Sequence, residues 1–305
     1  MTKIALIILN WKQPQLTIDT VESIFKTKNR GLSYHIFIVD NGSPDDSIAK
    51  FNAKYGKNKK VTILNTGSNL GYAGGNNFGL KAAIKQKFDY LLVANNDILV
   101  APDFLQKLFD ASKKFPNSIL TPKIYFAPGF EYHKNRYSKD EIGKVIWAVG
   151  SRMDWKNIYG TNIAIDEVDH GQYDNVDLNI DFISGCCFLV STKILKEIGL
   201  FDERYYLYME DADLTTRAKK AGYELRLVPE SVIWHCNSGS SNPGSSLQDY
   251  FISRNRMLFG FSYASLRTKF ALFRESIKFL FTGSEWRKTA IKDFYLGHFG
   301  KGSWK

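Results

Sequence analysis

The sequence predicts an α/β fold: a mostly parallel sheet with flanking helices, followed by a helical, basic C-terminal appendage. Three observations predict it. Over the first 120 residues, apolar runs of strand length alternate with segments of helix length. Each run closes on a polar cluster rich in Asn and Asp. The basic excess is confined to the C-terminal 55 residues.

The elements follow in order. Ile4–Leu9 is a continuous apolar run, of the kind buried on both faces of a parallel sheet. Pro14, favoured in a first helical turn, opens a helix to about Phe25 with Leu16, Val21 and Ile24 on one side. Ile36–Val39, Val61–Leu64 and Tyr90–Ala94 are further strands, with a helix over Gly75–Lys87 after a glycine-rich loop. Pro102 opens another helix to about Phe115. The stretch 125–181 is polar and aromatic and reads as insertion loops with a few antiparallel strands. Residues 181–190 are strand-like and Thr192–Ile198 is a short helix. Glu210–Ala221 is a helix capped by Gly222. Tyr223–Val228 and Val232–Trp234 are strands, followed by a Ser- and Gly-rich loop over residues 237–246 and then a helical tail.

The chain has 305 residues, 44% of them apolar and 24% charged, which excludes disorder and fibrous repeats. Three cysteines, two of them adjacent (Cys186 and Cys187), make no disulfide framework and point to a reducing, cytoplasmic setting. No apolar run reaches the roughly 20 residues of a bilayer span, and Asn10, Lys12 and Gln13 break the signal-peptide pattern. The net charge of +10 divides unevenly. Residues 251–305 hold 11 Lys and Arg against 3 Asp and Glu, leaving 30 against 28 in the first 250. A nearly neutral body argues against nucleic acid as the partner.

Four polar clusters carry chemistry. Asp40-Asn41-Gly42-Ser43 offers a carboxylate to a nucleobase imide or a ribose hydroxyl, or forms a plain Asx turn. The run Asn69–Asn77, NLGYAGGNN, brings glycine backbone to a phosphate or sugar, or is a tight turn before a helix. Asn95-Asn96-Asp97 suits Mg2+ or Mn2+ on a diphosphate, with Asp97 as direct ligand, or ends a strand. In the fourth, aromatic residues lead into Glu210 and Asp211 at a helix start. There a carboxylate is placed as a general base or as a partner of the helix dipole. His235, after the last strand, reads as a metal ligand, a base or a structural histidine.

The ordered set VDNGS, NLGYAGGNN, LLVANND, SGCCFLV, GLFDERYYLYMEDADLTTR, AGYELRLVPESVIWHCNSGSS and YFISRNR resembles glycosyltransferase family 2, in particular its rhamnosyltransferase-like members. The resemblance covers nearly the whole chain. It implies a GT-A fold, a Rossmann-like nucleotide-sugar-binding sheet, an inverting mechanism and Mg2+ or Mn2+ as cofactor. Mapped onto this sequence, Asp97 and His235 would hold the metal. Asp211 would be the catalytic base, with Glu210 as the alternative. Asn10, Asp40, Asn41, Gly71, Gly75, Asn76, Asn95, Asn96 and Arg254 would contact the donor, and the loop 237–246 would close over it. Asn95 and Asn96 stand where many members carry acids, and Lys12 where an Asn is common.

The expected reaction moves rhamnose from dTDP-rhamnose to a saccharide or lipid-linked saccharide in bacterial cell-surface polysaccharide synthesis. The alternatives are a UDP-hexose donor or a non-catalytic sugar-nucleotide-binding scaffold. A nucleotidyltransferase would need a basic glycine-rich loop after Leu9, which the sequence lacks. The chain divides into a catalytic domain, 1–246, with 125–181 as acceptor region, and a basic tail, 247–305. Residues 251–305 would rest peripherally on the anionic inner face of the cell membrane, or pack on the body with a solvated basic face.

Overall fold

A computed structural model describes residues 2–133, 135–236 and 244–305. Seven elements alternate at the start: β1 (Lys3–Asn10), α1 (Pro14–Phe25), β2 (Ser33–Asp40), α2 (Ser47–Tyr55), β3 (Val61–Asn65), α3 (Gly71–Lys85) and β4 (Tyr90–Asn95). β1 pairs in parallel with β2 and β4, and β2 with β3. Such pairing needs crossover helices, which cover both faces and explain the unbroken apolar runs. Ile4, Leu6 and Ile8 of β1 pack towards Val21 and Ile24 of α1, whereas Ala5 and Ile7 face the other core with Leu80 of α3.

The chain continues through β5 (Ile98–Val100), α4 (Phe104–Lys114), β6 (Ser118–Phe126), β7 (Ile146–Ala148) and a hairpin of β8 (Ser151–Asp154) and β9 (Tyr159–Asn162). Next come β10 (Cys187–Ser191), α5 (Thr192–Ile198), α6 (Glu210–Lys220) and β11 (Glu224–His235). Three helices follow: α7 (Ser246–Tyr263), α8 (Leu266–Thr282) and α9 (Glu285–Leu296). The main sheet runs β3-β2-β1-β4-β10-β6-β11-β5, with β7 added on β6. β10 lies antiparallel between β4 and β6, so a parallel half is joined to a mixed half.

This order forces curvature. β4 and β5 stand four strand gaps apart, yet only Asn96 and Asp97 separate them in sequence. Four gaps measure about 19 Å across a flat sheet, whereas three residue steps reach about 11 Å at most. The sheet therefore curls until β5, antiparallel to β11, comes back towards the end of β4.

Several elements differ from expectation. α3 begins at Gly71 rather than Gly75, so the glycine-rich stretch is itself helical. Its glycines let the helix sit directly on the sheet. A Cβ at Gly75 would meet Leu9 Cδ1 at 2.5 Å, and one at Gly79 would meet Ile7 Cγ2 at 2.7 Å and Val39 Cγ2 at 2.8 Å. β6 lies outside the expected strands and carries Pro122, a residue that opposes a central strand. It is tolerated between Leu120, which pairs with β10, and Ile124, which pairs with β7. The two expected strands after Gly222 are one strand with a register shift between Val228 and Val232. The tail packs on the body through α7, whose Met257, Leu258 and Phe259 join Met153, Tyr205 and Ala212 in one buried cluster.

Gly79→Val would drive a branched side chain into β1 and β2. It is expected to lower the unfolding free energy by about 2 kcal/mol, measured as a shift in urea midpoint at unchanged m-value.

Candidate active site

The carboxyl ends of β1, β2 and β4 meet through side chains rather than through solvent. Asn10 Nδ2 donates to Asp40 Oδ1 at 2.8 Å, and the Ser43 amide donates to Asp40 Oδ2 at 2.9 Å. Both oxygens of the fully buried Asp40 are thus engaged within the strand-end turn. Thr17 Oγ1 of α1 donates to Asn10 Oδ1 at 2.8 Å and accepts from Asn96 Nδ2 at 3.0 Å. Asn41 Nδ2 donates to Gly71 O and Asn69 Oδ1, each at 3.0 Å, and so ties the start of α3 to β2. Asn76 is buried and donates to Tyr72 O at 3.0 Å, while its Oδ1 has no partner among the described residues.

Glu210 and Asp211 open α6 from a strained approach. Tyr206, Tyr208 and Met209 all have positive φ, at 64°, 69° and 71°, at a cost of order 1–3 kcal/mol each for non-glycine residues. The segment is held from α7. Asn255 Nδ2 lies 2.8 Å from the carbonyls of Tyr205, Leu207 and Tyr208, and Arg254 Nη2 donates to Arg204 O and Tyr205 O at 3.1 Å. Tyr206 also stacks on Phe251 with ring centroids 5.1 Å apart. Arg254 is therefore fully buried and does not line the cleft, and Asn255 is the positioning residue that sequence patterning missed. Its neighbours in the motif YFISRNR were its only signal.

The three acids of this helix start are not equivalent. Asp213 is paired with Arg217 Nε at 2.9 Å and accepts from Tyr263 Oη at 2.6 Å. Asp211 is clamped instead by two backbone amides, Gly185 N–H at 2.8 Å and its neighbour Ala212 N–H at 2.7 Å. Glu210 is buried, and its Oε2 has no partner among the described residues. Burial, reinforced by the Asp211 charge, pushes the Glu210 carboxyl well above the usual range. Burial also raises Asp211, against the amides that favour its ionised form. Tyr72, whose hydroxyl donates to Gly185 O at 2.6 Å, is pushed up by burial and by both acids.

Asp97 and His235 come together across the curl, because His235 pairs in register with Ile98. Asp97 Oδ1 and His235 Nε2 lie 3.2 Å apart, and the imidazole packs edge-on against Trp147 at 4.7 Å. Among the described residues no group of three or more His, Cys, Asp or Glu side chains forms a metal cage. Mg2+ and Mn2+ commonly take one or two protein ligands and complete their shell with phosphate oxygens and water. The Asp97–His235 pair fits such an ion as a partial site. His235 Nδ1 is buried without a partner among the described residues.

These groups line one cleft of about 700 Å3. Asn41, Gly71, Asn95, Asn96, Asp97, Glu210, Asp211 and His235 all reach it, whereas Asn10, Asp40, Gly75 and Asn76 lie behind its wall. The closing loop expected at 237–246 falls mostly outside the described residues. A second hollow, about 890 Å3, lies at the opposite strand ends beside Thr2, Asp89 and Lys196 and contains none of these groups.

The chain matches the family described as Glycosyl transferase family 2 over residues 6–199. It is 29% identical over 223 residues to an N-acetylglucosaminyl-diphospho-decaprenol L-rhamnosyltransferase of Mycobacterium tuberculosis, covering 70% of each chain. It is 20% identical over 257 residues to the low-salt glycan biosynthesis hexosyltransferase Agl10 of Haloferax volcanii, covering 84% of this chain and 74% of that protein. Among solved structures, GalNAc-T7 with UDP, GalNAc and Mn2+ aligns with a TM-score of 0.61 at 16% identity, over 98% of this chain and 58% of that one. The mannosyltransferase PcManGT of Pyrobaculum calidifontis, with GDP-Man and Mn2+, gives 0.55 at 12% identity, over 96% and 74%. The fold is GT-A.

The raised carboxyls have a consequence for stability. Above the ordinary carboxylate range the native state keeps protons that the unfolded chain has released, so stability falls as pH rises through that window. Glu210→Gln removes the more strongly raised group and is expected to flatten this fall, read from urea unfolding between about pH 5 and 8. An unchanged slope would remove Glu210 as its source.

Proposed function

The chain belongs to glycosyl transferase family 2 and is a glycosyltransferase, and from that premise we propose an inverting enzyme that transfers a sugar from a nucleoside-diphosphate donor to a saccharide or lipid-linked saccharide. The lead donor is dTDP-rhamnose, supported by the mycobacterial relative that is named as a rhamnosyltransferase; a UDP-hexose is the alternative. The same relative's name, with its sugar on a diphospho-decaprenol, supports a lipid-linked acceptor.

One observation carries the assignment of the base. Asp211 is a cleft carboxylate held in place by two backbone amides, with no cationic partner among the described residues. It takes the proton of the acceptor hydroxyl as the oxygen attacks the anomeric carbon, opposite the departing diphosphate. Burial raises its proton affinity towards the working range. The amides of Asn95 and Asn96 border the same cleft, beside the proposed diphosphate position. A divalent cation on Asp97 and His235 would supply Lewis-acid neutralisation of the leaving charge. With donors presented in turn, released nucleoside diphosphate is expected only for the true donor. Its release should stop on chelation and return with Mn2+. Asp211→Asn should lose about 10²–10⁴-fold in turnover while binding the donor normally; near wild-type turnover would move the base elsewhere.

Among the described residues no helix is long and apolar enough to cross a membrane. Helix α8 supports a peripheral contact instead. Its Thr268, Leu272 and Ser276 are buried on the body, while Leu266, Phe270 and Phe281 are 85%, 63% and 80% exposed. Phe273 and Ile277 complete this outward stripe, and Arg267, Lys269, Arg274 and Lys278 flank it. An apolar ridge between cations matches an anionic lipid surface. Sedimentation with phosphatidylglycerol vesicles should carry the protein down, and neutral phosphatidylcholine should not. Phe270→Ser with Phe281→Ser should weaken this by about tenfold or more; equal binding would reject the contact.

A further inference from the structure

The segment after α9, residues 297–305, returns to the cleft. It is seated on buried polar groups rather than laid loosely over the surface. Asp293, buried in α9, accepts from the Ser303 amide at 2.8 Å and from Ser303 Oγ at 2.9 Å, and also from the Tyr250 hydroxyl. Gly302 has φ of +55° and lies so close to the Tyr250 hydroxyl and the Arg254 guanidinium that no Cβ fits. The Gly300 amide donates to Arg204 O at 2.9 Å, and Trp304 packs on Trp286 with ring centroids 4.5 Å apart. The segment thus shares an anchor, Arg254, with the support of the acid-pair loop.

This seat brings Lys301, Trp304 and Lys305 into the cleft wall. Lys301 and Lys305 are exposed, and neither makes an ion pair among the described residues. They are also the only Lys or Arg side chains among the described residues lining the cleft. The acids lining the same cleft are Asp97, Glu210 and Asp211. A diphosphate entering such a cleft is repelled by its carboxylates, and cationic side chains on the lining would lower that repulsion beside any ion held by Asp97 and His235. Arg254, the cation that the sequence offered for that task, is occupied with backbone carbonyls.

We propose that Lys301 and Lys305 form a diphosphate-binding wall, carried into the cleft by a segment that lies outside residues 6–199 matched to the family. The proposal rests on the transferase reading for its ligand class. The diphosphate belongs either to the nucleotide donor or to a lipid-diphosphate acceptor, and both present the same chemistry to an ammonium group.

Calorimetric titration of the full chain with inorganic pyrophosphate, dTDP, UDP and farnesyl diphosphate, each with Mg2+, tests it. Lys301→Ala with Lys305→Ala is expected to weaken pyrophosphate binding by about tenfold or more, and Lys301→Arg with Lys305→Arg to restore much of it. Thymidine, which has no phosphate, should bind the wild type and the double variant alike. A loss for dTDP or UDP assigns the wall to the donor, and a loss for farnesyl diphosphate assigns it to the acceptor. The pair Lys57→Ala with Lys59→Ala, exposed and remote from the cleft, should change nothing. Wild-type affinity of the Lys301/Lys305 variant for all four probes, or an equal loss in the Lys57/Lys59 control, overturns the proposal. Failure of the transferase reading is separate: no donor would then give transfer, while the titration would still report on the wall.

Discussion

The step from β4 to β5 through Asn96 and Asp97 governs the rest of the molecule. It joins strands that a flat sheet would hold too far apart, and so sets the curl. Two hydroxyls of α1 fasten it. Thr20 Oγ1 has two acceptors for its proton, Ile98 O at 2.7 Å and Asn96 O at 2.8 Å, and accepts from the Ile98 amide at 3.1 Å. Thr17, almost one helical turn earlier, takes the Asn96 side chain. Both threonines are buried, so these bonds are protected from water and costly to break. With the step fixed, β11 must run beside β5, and His235 arrives opposite Ile98, against Asp97. The Asp97–His235 pairing is therefore a product of sheet geometry before it is a product of side-chain choice.

The other half of the cleft is held from outside the sheet. Three left-handed non-glycine residues precede the acid pair, and such a loop persists only where its surroundings over-determine it. Asn255, Arg254 and the Tyr206–Phe251 stack supply that constraint from α7. The aromatic run before Glu210 is explained in the same way: Tyr206, Leu207 and Tyr208 join Tyr250, Phe251 and Trp304 in one cluster. The helical tail is thus part of the framework of the cleft, because α7 constrains the strained loop that leads into Glu210 and Asp211, while the Gly185 amide fixes Asp211 from the other side.

What the sequence made legible was whatever repeats locally. The apolar runs of β1, β2 and β4 and the polar residues that close them carry their own signal within a few positions. Side chains that bond backbone about 50 residues away, as Asn255 does to Tyr205, have no period to read. Pro122 concealed β6 because its missing amide is tolerated only by a pairing pattern visible in three dimensions. The charge of the last 55 residues was the clearest composition signal, and it proves to be four populations. Arg254 and Arg256 are internal and bond backbone carbonyls, Arg267 to Lys278 flank the outward stripe of α8, and Lys301 and Lys305 turn to the cleft; Arg287, Lys288 and Lys292 form a further group on α9, where Arg287 pairs with Asp249 and Lys288 with Glu285.

The amide at Asn96, which stands where acids are common, follows from the same geometry; that at Asn95 has no structural explanation. Thr17 has one hydroxyl proton, and its shortest acceptor is Asn10 Oδ1 at 2.8 Å. Its oxygen must then receive a proton from position 96, which an amide can give and a carboxylate cannot. An Asp there would set two acceptors against each other in a buried network and loosen the step that curls the sheet. Lys12 has φ of 58°, a left-handed position that Asn occupies more easily, and nothing in the structure explains the lysine there. A site that gives up a carboxylate at position 96 carries less negative charge where a diphosphate would lie. If the proposed diphosphate site holds, less of its neutralisation would be spent on protein carboxylates and more would fall to cations such as Lys301 and Lys305.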